Sequence, residues 1–188
     1  MSTSGSLANQ LLVAMPQLAD PNFSQSVTLI CDHSPDQGAL GIVVNRPLSM
    51  SMREVFAQLK VECTDDNRSE LPVLLGGPVQ QDRGFVIHRP GGEWDASHSV
   101  SPDIQITTSR DILAAIATGQ GPRDAFLALG YAGWQAGQLE REMLDNAWIC
   151  APVDARVLFD LPYAERWSAS WRLLGIDPLR MSLQHGHA

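Results

Sequence analysis

The sequence predicts an α+β domain on a mixed, mainly antiparallel sheet. Short apolar, β-branched runs open the chain in hairpin order, joined by Pro/Asp/Gly turns. Helical apolar spacing comes later, without the strict strand–helix alternation of a doubly wound parallel sheet. The length of 188 residues fits one domain, 1–188, at the usual ~150 residues per domain. A compact chain of this size buries about 70% of its extended surface, enough for a proper core.

Leu11 to Met15 is a buried strand closed by Pro16, and Asp20-Pro21-Asn22 is a turn. Ser26 to Cys31 and Ala39 to Val44 form a hairpin across Ser34-Pro35-Asp36-Gln37-Gly38. Asn45-Arg46-Pro47 ends that strand. Ser51-Met52-Arg53-Glu54 fits a capping box and starts a helix to Lys60, with Val55, Phe56 and Leu59 on its apolar face. Cys63 to Glu70 is polar and reads as a surface loop. Pro72 to Leu75 is a strand ending at Gly76-Gly77-Pro78. Gly84 to His88 is another, broken by Pro90-Gly91-Gly92, and Ile104 to Thr107 a third. Ser109 caps a helix carrying Ile112, Leu113 and Ile116, stopped by Gly119. Ala125 to Leu129 is a strand leading into Gly130-Tyr131-Ala132-Gly133-Trp134. Leu139, Met143 and Leu144 place a helix over Gln135 to Asp145, and Trp148 to Ala151 is a short strand. Val157, Leu158 and Leu161, then Trp167, Trp171 and Leu174, give one or two helices before Gly175, and His185 to Ala188 is a tail.

Charge and composition exclude several functions. Lys plus Arg total 13 against 21 Asp plus Glu, a formal charge of −8, with no basic run. A surface that neutralises several phosphates needs a basic face, so direct nucleic-acid binding is not expected. Twelve of the basic residues are Arg and Lys60 is the one Lys. Lys60 has no glycine near it, which removes the P-loop, and its polar helical setting does not suit a Schiff base. The three cysteines, Cys31, Cys63 and Cys150, show no C-x-x-C spacing, so neither a disulfide framework nor a zinc ribbon is expected. No apolar run approaches a membrane span and no signal peptide is seen, so a soluble cytoplasmic protein is expected.

Several runs together resemble the YqgE/AlgH family of bacterial proteins. They are Leu11-Leu12-Val13-Ala14-Met15-Pro16 with Asp20 and Phe23; Gly38 to Pro47; Gly76-Gly77-Pro78-Val79; Gly84 to His88; Gly130 to Trp134 with Gly137-Gln138-Leu139-Glu140 and Glu142; Asn146-Ala147-Trp148; and Gly186-His187-Ala188. The resemblance implies a curved mixed sheet flanked by helices. It carries over no settled activity. One branch of the family bears the name of a transcriptional regulator linked to alginate production, but this sequence shows no helix-turn-helix pattern and no basic helix.

The motifs of common chemistries are missing: G-x-S-x-G, H-E-x-x-H and G-x-G-x-x-G do not occur. His185-x-His187 offers two ligands at a chain end, which is not a metal site, and no metal or cofactor is expected. Cys31 and His33 share a strand face if the strand is regular. The glycine clusters Gly76-Gly77 and Gly130-Tyr131-Ala132-Gly133 read as tight turns and close packing, or as a small-anion cradle of backbone N–H groups. Arg46, beside Asn45, has a fork suited to carboxylate or phosphate, or else pairs with an acid such as Glu142 to fix a loop. Gln138 and Glu142 share a helix face. His88 ends a strand, either as a general base or as a satisfied structural histidine. Trp134, Trp148, Trp167 and Trp171 read as core.

One cleft gathering Asn45, Arg46, Gly76, Gly77, His88, Gly130, Tyr131, Gly133, Trp134, Gln138 and Glu142 is therefore the expected binding site. Its occupant is a small anionic or polar ligand, or a protein partner, bound without catalysis. Two other readings stay open: a hydrolase-like enzyme using His88 or Glu142, and a direct DNA-binding regulator, which the charge opposes.

Overall fold

The structure, a computed structural model, describes residues 5–184. The predicted tail at His185 to Ala188 lies outside the described residues. The first hairpin pair forms as the turns dictate. Strand β1 (Gln10–Ala14) pairs antiparallel with β2 (Val27–Ser34), and β2 with β3 (Gly38–Val43). Next come β4 (Pro47–Ser51), α1 (Met52–Leu59), α2 (Asp66–Ser69), β5 (Pro72–Leu75), β6 (Val79–His88), β7 (Ser97–Ser101), β8 (Ile104–Thr107) and α3 (Asp111–Ala117). The chain then forms β9 (Ala125–Trp134), α4 (Gln138–Leu144), β10 (Trp148–Pro152), α5 (Ala155–Phe159), a 3₁₀ turn (Tyr163–Glu165), α6 (Arg166–Leu173) and α7 (Pro178–Gln184).

Ten strands form one sheet in the order β10-β1-β2-β3-β9-β6-β8-β7, with β5 beside β9 and β4 beside β5. The β5/β9 pair is parallel and the other strand pairs are antiparallel. The sheet curls into a half-barrel, so the fold is the mixed, mainly antiparallel α+β domain the sequence predicts.

Apolar residues alternate between two buried faces. On β1, Leu11 and Val13 join a core with Trp171 and Leu158, while Leu12 and Ala14 join a second with Leu139 and Trp148. A strand covered on both sides reads as an unbroken apolar run, as Leu11 to Ala14 does. A third cluster lies under α1 and α3, where Phe56, Ile112 and Ile116 meet Val86 and Leu127. The Ser51/Glu54 capping box is present, and Lys60 closes α1 in the left-handed region.

The structure corrects several expectations. The run Gly130 to Trp134 continues β9 instead of leaving it, so it is not a strand end. Along one edge β9 pairs with β6. Along the other it pairs first with β5, at Ala128 and Leu129, and then with β3, at Ala132 to Trp134. Strands β4 and β7 were not predicted. Pro47 opens β4, a position proline tolerates, and β7 is a polar Ser-rich edge. The expected loop at Cys63 to Glu70 contains α2, because Asp65 accepts from Asn67 N (3.1 Å). Ser109 lies one residue before the cap of α3; its hydroxyl is taken by Asp111 (2.5 Å) and Ala96 N (3.1 Å). Strand β6 starts earlier than expected, and α7 extends the helical region past Gly175.

Where β9 changes partners, backbone meets backbone. Gly130 has φ +77, and a Cβ on it would lie 2.5 Å from Gly77 O. A Cβ on Gly76 would lie 2.3 Å from Gly130 O. At Gly133, by contrast, the nearest atom would be a Tyr131 ring carbon at 3.8 Å. Gly76→Ala is therefore expected to lower stability by about 1–3 kcal/mol, the range of forced overpacking. Gly133→Ala should stay within about 0.5 kcal/mol of the parent. Chemical denaturation of both variants checks the contrast, and equal effects would reject the junction.

Candidate functional site

Asn45 and Arg46 fasten the turn before β2. Asn45 Oδ1 accepts from Val27 N (3.0 Å), and its Nδ2 donates to Gln25 O (2.9 Å). Arg46 donates from Nη1 to Pro21 O (2.7 Å) and from Nη2 to Ser24 O (2.6 Å). Burial lowers the Arg46 pKa, with Asp20 acting the other way. Arg46 does fix a loop, but it does so through carbonyls and not through Glu142.

Glu142 is engaged elsewhere. Its Oε2 accepts from the indole N–H of Trp134 and of Trp148, each at 2.9 Å. Its Oε1 accepts from Gln138 Nε2 (2.8 Å), and Gln138 Oε1 accepts from Gln135 N (3.0 Å). Phe23 packs edge-on against Trp148, with ring centroids 5.6 Å apart. One carboxylate thus joins α4 to β9 and β10, with both oxygens occupied.

Gly76, Gly77 and Gly130 do meet, but they fill the space with their own backbones and leave no cradle. Tyr131 stands edge-on to Phe85 at 6.3 Å. His88 is remote from this junction. It pairs with Ala125, while Tyr131 pairs with Val79 at the other end of β6. Six residues of strand separate Ala125 from Tyr131, about 20 Å at ~3.3 Å per residue. His88 therefore stands apart from the rest of the expected cleft, while the turn held by Arg46 meets the Trp134/Gln138/Glu142 latch at Phe23.

The imidazoles are used structurally. His88 is fully buried. Its Nδ1–H donates to Arg89 O (2.8 Å), and its Nε2 accepts from Thr107 Oγ1 (2.7 Å), which is 2.6 Å from Ser97 Oγ. Burial lowers its pKa, opposed by the hydrogen bond to Arg89. His33 Nδ1 accepts from Leu7 N (3.0 Å), which leaves the proton on Nε2 to donate to Glu140 (2.7 Å). Cys31 forms no dyad with His33. The pairing of β2 with β3 slips between Ile30 and Asp32, so Cys31 packs on the Trp171 core while His33 turns to α4. Burial, and then Asp32, push the Cys31 thiol up to about 12.

An apolar-walled concave surface lies elsewhere. A cavity of about 440 Å³ opens between α1, α3 and the β6–β9 face. Val55, Leu59, Leu113, Leu127 and Leu129 line its walls, with Asp82, Thr108 and Arg110 also on its lining. None of the eleven predicted site residues lines it. Its apolar residues sit at helical or strand spacing and read as core, so sequence reasoning passed over them. Gln81 and Asp82, in the unpredicted start of β6, were the available signal. Among the described residues, no group of three His, Cys, Asp or Glu could hold a metal ion, and no helix is long and apolar enough to cross a membrane.

Residues 11–179 match the AlgH-like (DUF179) family model. The chain belongs to the AlgH-like family. It is 51% identical to a UPF0301 protein of Thioalkalivibrio sulfidiphilus over 188 residues, covering 100% of both chains. It is 50% identical to a UPF0301 protein of Xanthomonas campestris, covering 97% of this chain and 96% of that one. The solution structure of AlgH from Pseudomonas aeruginosa superposes with a TM-score of 0.79 at 44% identity, covering 100% of this chain and 99% of that one. A crystal structure from Corynebacterium diphtheriae shares the fold, with a TM-score of 0.70 at 21% identity and coverage of 92% and 89%.

Two measurements check the structural roles in this AlgH-like protein. Glu142→Ala leaves two buried indole N–H groups without an acceptor and should cost about 2–4 kcal/mol, whereas Glu142→Gln keeps an acceptor oxygen and should cost about 1 kcal/mol. An equal loss in the two would show that the latch does not act through its acceptors. His88 has its folded pKa below its unfolded value, so the unfolded chain takes up the proton first. The stability it supplies is complete above about pH 6.5 and falls as pH drops through the folded pKa. Stability measured from pH 7.5 down to 5.5 should therefore fall less steeply in His88→Asn. Parallel slopes would exclude His88 as a contributor.

Proposed function

We propose that this AlgH-like protein is a cytoplasmic, non-enzymatic binding module whose ligand occupies the cavity between α1, α3 and the β6–β9 face. Any effect on transcription is then indirect. The cavity carries the reading. Its volume of about 440 Å³ lies within the roughly 300–1,000 Å³ of small-molecule sites, and an apolar wall with a few polar groups is their usual lining. The apolar body of the ligand rests on Leu59, Leu113 and Leu127. Its polar or anionic end faces Arg110, whose Nη2 is bound to Leu59 O (3.0 Å) while the other guanidinium nitrogens have no partner among the described residues. The absence of catalysis fits the fully engaged His88, His33 and Glu142 and the raised thiol of Cys31. A formal charge of −8 supports a small ligand over a nucleic acid.

A thermal-shift screen of amphipathic organic acids tests the reading, run beside Leu59→Trp, which fills the cavity. A ligand at 100 times its Kd should stabilise the parent by about 2.7 kcal/mol and the variant hardly at all. A hit that survives Leu59→Trp would remove the cavity from the proposal.

A further inference from the structure

Arg166 is a buried cation without a carboxylate. The residue is 3% exposed. Its Nη1 donates to Val44 O (2.5 Å) and its Nε to Leu161 O (3.3 Å). The guanidinium lies over the Phe126 ring at 4.9 Å and the Tyr163 ring at 4.3 Å. Burial lowers its pKa to about 10, with Tyr163 acting upward, so it keeps its charge at neutral pH. Carbonyls and ring faces orient such a charge, but they do not neutralise it. A buried ion without a counter-charge is left with an uncompensated desolvation penalty. Its Nη2 has no hydrogen-bond partner among the described residues.

Arg166 lines a cavity of about 240 Å³ between the start of β9, α2 and α5–α6. Arg123 and Arg68 line it too. Arg123 is exposed and has neither an ion pair nor a hydrogen bond among the described residues. Arg68 reaches one acid, Asp65, and only at 3.8 Å. Tyr163, whose hydroxyl makes no hydrogen bond within the described residues, also lines the cavity. The one acid on the lining, Asp124, is already held by Arg89 Nε (3.0 Å). Three arginines, from α2, from the loop before β9 and from α6, thus line one small space in a chain that is acidic as a whole.

We propose that this cavity is a second, anion-specific site that takes a small phosphomonoester. A dianion compensates two of the three arginine charges where a carboxylate compensates one, and the planar fork of arginine suits phosphate oxygens. Tyr163, on the same lining, brings a hydroxyl that no group among the described residues uses. Leu158 and Phe159 give the carbon body an apolar wall. The cavity shares no lining residue with the one between α1 and α3, so the two sites stand or fall separately.

The test is titration of the full chain, by calorimetry and by backbone NMR shifts, with glycerol 3-phosphate and with inorganic phosphate at constant ionic strength. Glycerol 3-phosphate should bind saturably and shift resonances at Arg68, at Arg123 to Phe126 and at Arg166. Arg123→Glu, on the surface, should raise Kd by about tenfold or more without lowering Tm. Arg68→Ala and Tyr163→Phe should each raise Kd by roughly threefold. Binding should weaken at pH 5.5, because a phosphomonoester dianion takes up a proton and becomes a monoanion near pH ~6. Leu59→Trp should leave it unchanged. Arg166 also braces Val44 and Leu161, so the decisive variants are those at Arg123 and Arg68, which keep the fold. A non-saturable response, an unchanged Kd in Arg123→Glu, or binding of inorganic phosphate alone would each overturn the proposal.

Discussion

The fold depends on how β9 changes neighbours halfway along one edge. A sheet that swaps one partner strand for another must pair every backbone group at the seam, since an unpaired buried N–H or C=O costs about as much as a lost hydrogen bond. Here Gly76 N donates to Leu129 O (2.7 Å), and Gly76 O accepts from Val43 N (2.7 Å). One residue therefore links β9 to β3 as β5 departs. That requires main chain at distances no side chain permits, which is why glycine occupies 76, 77 and 130. With the seam closed, β9 places Leu127 and Leu129 under α1 and α3, and Ala132 and Trp134 under α4. Helices α1, α3 and α4 take their positions from it.

Around this frame the polar residues divide by whether their bonding capacity is used. Asn45 and Arg46 spend theirs on the turn carbonyls and the Val27 amide, His88 on Arg89 and Thr107, and Glu142 on two indoles and an amide. A donor or acceptor already satisfied at good distance has little left for a ligand, so these groups contribute to stability more than to recognition. Arg166 differs in kind. Its bonds fix its orientation, yet its charge is uncompensated and one nitrogen is unbound. Residue type alone, arginine in each case, does not separate the mortar at position 46 from the unmatched cation at 166.

This explains what the sequence disclosed and what it withheld. The β2–β3 hairpin, the capping box on α1 and the helix carrying Gln138 and Glu142 were legible because each is specified within a few neighbouring residues. The polar edges β4 and β7 were not, since a strand facing water on its edge carries no apolar run. The close-packing reading of the glycines was legible, whereas their supposed opening into a cleft was not decidable. Whether β9 continues past Gly130 depends on β3, which is some ninety residues earlier. His88 looked like a neighbour of the same cleft because strand ends resemble one another in sequence, although pairing puts it at the far end of β6. Arg166 was passed over because it stands between Glu165 and Trp167, where a helical arginine reads as solvated surface.

The two proposed sites meet the same strand from opposite sides. Phe126, under the Arg166 guanidinium, belongs to the core shared with Trp171, while its neighbour Leu127 belongs to the cluster under α1 and α3. Successive strand residues face opposite ways, so one peptide separates the walls of the two cavities. Proximity of this kind does not by itself couple two ligands; coupling needs an element with two arrangements that both ligands bias. Here β9 is braced by β6 along Phe126 and Leu127 and by β5 at Ala128 and Leu129, and Gly76 N is bound to Leu129 O. In a strand so held the two proposed sites rest on different chemistry: apolar burial on the Leu127 face and compensation of an unmatched charge on the Phe126 face.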